Sequence, residues 1–511
     1  MKASGFELYL RKDGIVKKYK DSAPGVFGFS LNERSENGIT VLSGEITAEE
    51  NIEPVWVETA IAMELNGLGF YANGFQSWSE SPYCDEGTGI RKLNVLLREG
   101  FRLKYYGDYH FSKRLWGLAY SHLYLDLQRE GKTEVFIGDL MPGDSYTMFY
   151  PDYDHNTVVA ASDIEGLKIS AGESRELFRI SISGDGGMYF ALLGQKPLTA
   201  DKITGWTSWY NYYTKITEYI LESNMHALRE SKIPIDVFQI DDGWFHALGD
   251  WLECNDKFPG GMQSVAKKIK AEGWKAGLWL APFICDRESI VYQEHNGWIQ
   301  RDKRGRLQPA GWNPNWNGIF YAMDIYNEGF REYLAEVFDA VAGEWGYDFM
   351  KLDFLYAAAI QPREGKTRCM VMCDAMDMIL GMSPGSKILA CGAPIGPSMG
   401  RCHYCRIGAD VANIWEDRFL KAINYRERVS TASSISNTIS RSFLNGKAFM
   451  NDPDVFFLRD TKEIRLTNEQ KELLFKTNIE NSGLVFFSDD VSQYSPEQTD
   501  RLKKTFSDYR V

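Results

Sequence analysis

From about residue 201 the chain repeats one grammar, a short apolar segment, a loop and a stretch of helical periodicity, and this repetition constrains its fold most. The apolar segments are ITGWTSW (203–209), IDVFQID (235–241), KAGLWLA (275–281), DFMKLDF (348–354), KILACG (387–392), YCRIGAD (404–410), KAFMND (447–452) and GLVFFSD (483–489). Helical stretches such as GMQSVAKKIKAEG, REYLAEVFDAVAGEWG and QTDRLKKTFSDY lie between or after them. Strands separated by helices over roughly 300 residues predict a (β/α)8 barrel enlarged by long loops. The competing doubly wound open sheet expects a Gly-rich phosphate loop in its first unit, and none opens this one.

The preceding residues read differently. GITVLSGEIT, PVWVETAIAMEL, SHLYLDLQ, TEVFIGDL and RELFRISI alternate in polarity and are broken by NGLG, REGK, MPGD and GDGG. Many short strands with turns at this spacing predict an antiparallel β-sandwich. The expected organisation is therefore a sandwich domain over 1–195 and a barrel domain over 196–511.

Composition narrows the function. In 511 residues, 44% are hydrophobic, which suits large cores and excludes a disordered chain. A net charge of −13 argues against nucleic acid or an anionic membrane as partner. MKASGFELYLRKDG lacks the apolar stretch of a signal peptide and no run of 18 apolar residues occurs, so a cytoplasmic protein is expected. Its 8 cysteines lack disulfide-framework spacing, as for reduced thiols. The one CxxC, Cys402 to Cys405, has no second CxxC or His pair to complete a zinc site.

In such a barrel the active site lies at the C-terminal strand ends, and acids collect there. The second segment ends in Asp241-Asp242-Gly243-Trp244, the fourth in Lys351-Leu352-Asp353, the sixth in Arg406-Ile407-Gly408-Ala409-Asp410 and the eighth in Asp489-Asp490. A lone strand-end aspartate serves equally well as a helix cap or turn residue. Alternation puts Lys351 and Asp353 on one face, where they form either a structural ion pair or a catalytic carboxylate kept ionised by its neighbour. The same period aligns Arg406, Gly408 and Asp410, with Gly408 expected to leave room for a ligand between the charges. Two inward carboxyls are the minimal machinery for retaining glycoside hydrolysis. Aromatics form 14% of the chain, and Trp206, Trp209, Tyr210, Trp244 and Trp279 are expected as walls on which a sugar stacks.

These segments carry a resemblance. NGFQSWSE (73–80), GWTSWYNYY (205–213), FQIDDGW (238–244), GDW (249–251), GLWLAPF (277–283), NPNWNGIFYAMDI (313–325), YDFMKLDFL (347–355), CGAPIGPSMG (391–400), CRIGADV (405–411) and LNGKAFMNDPD (444–454) resemble, in order, the α-galactosidases of glycoside hydrolase family 36, the melibiase-like enzymes. The resemblance implies a retaining exo-acting α-galactosidase that cleaves short α-galactosides with no metal or organic cofactor. It implies Asp353 as nucleophile and Asp410 as general acid and base. Asp241 and Asp242 would hold galactose hydroxyls, Lys351 and Arg406 would contact the sugar, and Cys391 with Gly392 would lie beside its 2-hydroxyl. Trp209, Tyr210 and Trp279 would be aromatic walls, and Trp78 would reach over the barrel mouth from the sandwich.

The chain departs from the family's pattern twice. The separate C-terminal β-domain common in the family is expected to be absent. Cys402-His403-Tyr404-Cys405 replaces an acidic residue and a glycine, which bears on the outer subsite and so on the leaving group. An α-N-acetylgalactosaminidase, an α-galactosyltransferase and a non-catalytic sugar-binding protein remain alternatives, and oligomeric state is left open.

Overall fold

The computed structural model describes residues 2–363 and 365–509. A nine-stranded parallel sheet forms its centre. Its strands are β1 (Ile203–Thr207), β2 (Val237–Ile240), β3 (Lys275–Leu280), β4 (Phe349–Leu352), β5 (Lys387–Ala390), β6 (Tyr404–Arg406), β7 (Met450–Asp452), β8 (Val455–Phe456) and β9 (Leu484–Phe487). They are ordered β7-β6-β5-β4-β3-β2-β1-β9-β8. The two edge strands are separated in sequence only by Pro453 and Asp454, so one broken stave meets β6 on one side and β9 on the other. The sheet is thereby rolled into a (β/α)8 barrel. Asp454 turns that break with φ +76°, a left-handed conformation that aspartate tolerates better than most residues.

Each apolar segment singled out from sequence contains a strand of this sheet. Helices follow: α1 (Glu218–Ser231), α2 (Gly261–Ala271), α3 (Glu328–Phe338), α4 (Arg368–Met382), α5 (Ile395–Ser398), α6 (Thr431–Ser440), α7 (Asn468–Asn481) and α8 (Pro496–Tyr509). Their starts obey local chemistry. The side chains of Thr217, Thr367 and Ser430 accept backbone N–H bonds that would otherwise be orphaned, and Thr467 with Gln470 forms a full capping box. The regular repeat fails at α5, which is only four residues long. Residues of the sandwich occupy the space it vacates: a Cβ on Gly396 would meet Pro142 and Leu123.

That sandwich consists of a six-stranded and a seven-stranded antiparallel sheet. Alternation in Ile39–Ala48 turns Leu42 and Ile46 inward and leaves Glu45 and Thr47 exposed. Leu42, Ile180 and Ile182 of one sheet share a core with Ile61, Phe149 and Val158 of the other. After β3 a small three-stranded sheet (Ile284–Cys285, Pro309–Asn313 and Gly318–Ala322) is inserted, and its hairpin leans over the barrel mouth. The sequence reading did not anticipate it.

One buried side chain ties sandwich to barrel. Arg441, fully buried at the end of α6, donates to Asn73 Oδ1 (2.8 Å) and the carbonyls of Ser77 (2.8 Å) and Ile407 (2.8 Å). It also reaches the carbonyls of Gly74, Gln76 and Ser79. No carboxylate pairs with it among the described residues, and burial pulls its pKa down to about 10. The guanidinium thus fixes the loop 73–79 by its fork of donors. Beside it, Asp108 of the sandwich segment accepts from Tyr120 (2.7 Å), His122 (2.8 Å) and Arg426. Burial opposes the ionisation of Asp108, and the charge of Arg426 overrides it, holding the carboxyl well below the usual range.

Candidate active site

A cavity of about 480 Å³ opens at the C-terminal ends of the strands. Trp78, Trp209, Asp241, Asp242, Trp279, Lys351, Asp353 and Asp410 all line it. Eight residues scattered over more than three hundred positions are thereby brought to one place.

Asp353 follows the last residue of β4. Its Oδ2 accepts from Trp279 Nε1 at 3.0 Å and its Oδ1 from the backbone N–H of Phe354 at 2.9 Å. Phe354 adopts φ +55°, a strained conformation for a bulky residue, and this turn aims both the carboxylate and the Phe354 ring at the cavity. Burial raises the pKa of Asp353, while the Lys351 charge and hydrogen bonds from Cys391 and Trp279 oppose the rise.

Lys351 departs from the expectation that it pairs with Asp353. Its Nζ donates to Asp241 Oδ2 at 2.8 Å, across β3. Both are buried; burial disfavours the ammonium, but the Asp241 charge outweighs it and raises the Lys351 pKa. Asp241 also accepts from Gln239 Nε2 at 2.7 Å and from the N–H of Asp242 at 2.9 Å. Asp242 receives a side-chain bond only from Trp316 Nε1, at 3.1 Å, among the described residues. Burial, and then the charge of Asp241, push its pKa up to about 7. The pair therefore divides labour: Asp241 is saturated by protein donors, and Asp242 keeps capacity for a ligand.

Arg406, the last residue of β6, binds three carboxylates. It reaches Asp452 at 2.9 Å, Asp410 at 3.0 Å and Asp454 at 3.0 Å. Gly408 does not lie in the gap between Arg406 and Asp410. The strand ends at Arg406, the two-residue period lapses, and a Cβ on Gly408 would face Ser434 and Asn437 of α6. Asp452 and Asp454 were missed from the sequence, although the strand-end rule applied to KAFMND would have included the first. Asp454 also accepts from the Tyr210 hydroxyl, so Tyr210 is a buried buttress; it does not line the cavity.

Several other sequence expectations need correction. Trp206 is fully buried, stacks on Phe238 at 4.4 Å and donates to the Asp489 carbonyl. Trp244 is likewise buried and donates to the Trp279 carbonyl. Both are core, and Asp489 is consumed by Arg459 at 2.5 Å. Cys391 and Gly392 sit behind Trp78: the indole N–H donates to Cys391 Sγ at 3.2 Å, and a Cβ on Gly392 would come 2.8 Å from the indole. Cys402 and Cys405 are buried; Cys402 and His403 precede β6, and Tyr404 and Cys405 are its first two residues, before the strand end at Arg406. His403 Nδ1 accepts from Ile388 N there, at 3.1 Å. None of these four residues lines the cavity.

The remaining wall comes from loops that periodicity does not reveal. Trp312, Asn313, Pro314 and Trp316 arrive on the inserted hairpin, and Leu103 and Tyr106 on the sandwich segment. Tyr425, Glu427 and Val429 come from the loop before α6. Tyr106 is locked to the hairpin by its hydroxyl, which donates to the Trp312 carbonyl at 2.7 Å.

Fold and site together define a barrel whose strand ends gather several carboxylates and aromatic walls around one cavity. The Melibiase family model matches residues 203–381, and the chain is similar to the melibiase-like α-galactosidases of glycoside hydrolase family 36. Alpha-galactosidase 1 of Pediococcus pentosaceus is 28% identical over 149 residues, covering 26% of this chain and 19% of that protein. The Escherichia coli alpha-galactosidase is 28% identical over 149 residues, covering 28% and 20%. The matches thus span about a fifth of these relatives' length. TtGalA of Thermus thermophilus, solved with p-nitrophenyl α-D-galactopyranoside, superposes with TM-score 0.77 at 27% identity, covering 98% of this chain and 94% of that one. AgaA of Geobacillus stearothermophilus shares the fold with TM-score 0.64 at 14% identity, over 100% and 73%.

Proposed function

We propose that the protein is a retaining exo-acting α-galactosidase that removes terminal α-linked galactose from short oligosaccharides. The observation that carries the reading is that Asp353 and Asp410, on strand ends two apart in the barrel, line one cavity whose inner wall holds Asp242 with unused acceptor capacity. The solved complexes of TtGalA with an aryl α-galactoside and with stachyose support the substrate class.

Asp353 is held by Trp279 and the Phe354 N–H so that one carboxylate oxygen attacks the anomeric carbon. Asp410, held by Arg406, gives its proton to the departing glycosidic oxygen. In the second step Asp410 takes a proton from water, the water oxygen bonds to the anomeric carbon, and the Asp353 carboxylate departs. Asp242 and Lys351 select hydroxyls far from that carbon, because a misplaced hydroxyl would leave buried polar groups unpaired. Trp78 and Trp279 supply apolar faces. The 8 cysteines are free thiols, which supports a reducing, cytoplasmic location.

The test is Asp353→Ala assayed on p-nitrophenyl α-galactoside. Expected is a loss of hydrolysis of at least about 10³-fold, with azide restoring galactosyl transfer to give a galactosyl azide. Undiminished hydrolysis by this variant would overturn the assignment.

A further inference from the structure

Glu427 has no role in the account above, yet its carboxyl is buried against the same cavity. One oxygen, Oε1, accepts from Ser79 Oγ at 2.6 Å. The other, Oε2, is buried with no hydrogen-bond partner. The arginines on either side do not neutralise it by direct contact. Arg426 turns to Asp108 and Tyr120, and Arg428 forms a fork with Glu80 at 2.6 Å and a further pair with Glu416 at 2.9 Å. The chain makes room for the group: a Cβ on Gly107 would come 2.5 Å from Oε1. Buried carboxyl oxygens are nearly always paired, and because Glu427 lines the cavity, a turn of its carboxyl would bring the orphan Oε2 to a ligand there.

Position identifies which part of the ligand. Asp241, Asp242, Lys351 and Asp353 lie on or next to strand ends and form the inner part of the cavity. Glu427 lies further out, on the long loop between β6 and α6, beside sandwich residues. That loop is tied to the proposed general acid, because the N–H of Ser430 donates to the Asp410 carbonyl at 3.0 Å. A general acid must lie beside the glycosidic oxygen, and the leaving group lies beyond that oxygen. The wall next to Asp410 therefore borders the leaving group.

We propose that Glu427 is a specificity residue for the leaving group, turning Oε2 into the cavity to bind a hydroxyl of the sugar unit that follows the galactose. This rests on the α-galactosidase reading. It predicts preference for sugar over hydroxyl-free aryl leaving groups, and accounts for a carboxyl with no direct ion pair among aromatic rings. Burial pushes its pKa up to about 7, so the carboxyl can accept from or donate to a hydroxyl near neutrality.

The experiment compares melibiose with p-nitrophenyl α-galactoside for the full-length wild type, Glu427→Ala and Glu427→Gln, with thermal midpoints measured alongside. For Glu427→Ala, kcat/KM on melibiose is expected to fall about 10-fold or more, chiefly through KM, and on the aryl substrate by less than about 3-fold. Glu427→Gln keeps an oxygen for Ser79 and polar capacity at Oε2, and is expected to recover most of the melibiose rate. Inhibition by free galactose should not change. Equal losses on both substrates, or no loss on either, would overturn the inference and leave the α-galactosidase reading intact. Wild-type protein that hydrolyses neither substrate would overturn both.

Discussion

Lys351 Nζ lies 2.8 Å from Asp241 Oδ2, across an intervening strand, and does not bond Asp353 two residues along its own chain. Strand alternation puts Lys351 and Asp353 on the same face, but a barrel interior offers each inward side chain neighbours from other strands at similar range. The lysine chooses the carboxylate nearer its own layer, and Asp353 is left to Trp279 and its own turn. Lys351→Met should therefore strand a buried, ionised Asp241 and cost on the order of 3–5 kcal/mol. Adding Asp241→Asn to that variant should return part of the loss. Urea unfolding of the two single variants and the double variant measures the coupling, and strictly additive losses would refute a direct pair.

How much of this was legible in the sequence follows from range. Strand identity is local, written in four to seven apolar residues, and all the barrel segments were readable. Acids at strand ends were readable too, because the barrel gathers those ends into one mouth. Partner choice was not: Arg406 binding Asp452 and Asp454 depends on the break at Pro453-Asp454 that closes the sheet. Trp206 and Trp244 could not be told from wall residues, because an indole in the core and an indole under a sugar have the same composition signal. Gly408 was misread because a two-residue period was carried past Arg406, where the strand stops. Trp316 and Glu427 come from loops, where no period exists to extrapolate.

Gly392 and Trp78 form a second contact open to test. With φ +58° and a Cβ position 2.8 Å from the indole, Gly392→Ala combines backbone strain with a clash. The expected outcome is displacement of Trp78 and a fall in kcat/KM of about 10-fold or more, by analogy with misplaced positioning groups. In a Trp78→Ala background the same glycine substitution should cost less, although strain and the nearby Phe354 backbone remain. Equal effects in both backgrounds would show that the indole is not what the glycine accommodates.

Arg441 makes a sharper claim about the sandwich. Its guanidinium satisfies one side-chain oxygen and five backbone carbonyls in a region with no countercharge among the described residues. Arg441→Lys keeps the charge but has three donors on a single nitrogen, so several buried carbonyls would lose partners. A destabilisation of about 3 kcal/mol is expected, with loss of activity because the loop it holds carries Trp78. Calorimetry and galactoside turnover measured together provide the check. A variant as stable and active as the wild type would show that the loop needs no such clamp.

Asp139 provides a prediction about pH that is independent of catalysis. It lies between sandwich and barrel, beside a cavity of about 20 Å³ whose lining includes His122, Tyr146 and Pro394. One oxygen accepts from the N–H of Met141 at 2.8 Å, and the other has no partner. Burial pushes its pKa up to about 7, opposed by the Met141 and Thr147 bonds and slightly aided by Asp144. The native state therefore holds a proton that the unfolded chain, with an ordinary carboxyl, releases near pH 4. Stability from this group is complete below about pH 4 and declines as pH rises through about 7, because the unfolded state binds fewer protons over that range. Asp139→Asn removes the titration while keeping the shape. Between pH 5 and pH 8 the variant should gain on the wild type by on the order of 2–3 kcal/mol, read as the difference between their urea unfolding free energies. If the two free energies run parallel with pH, Asp139 titrates alike in both states and its burial carries no such penalty.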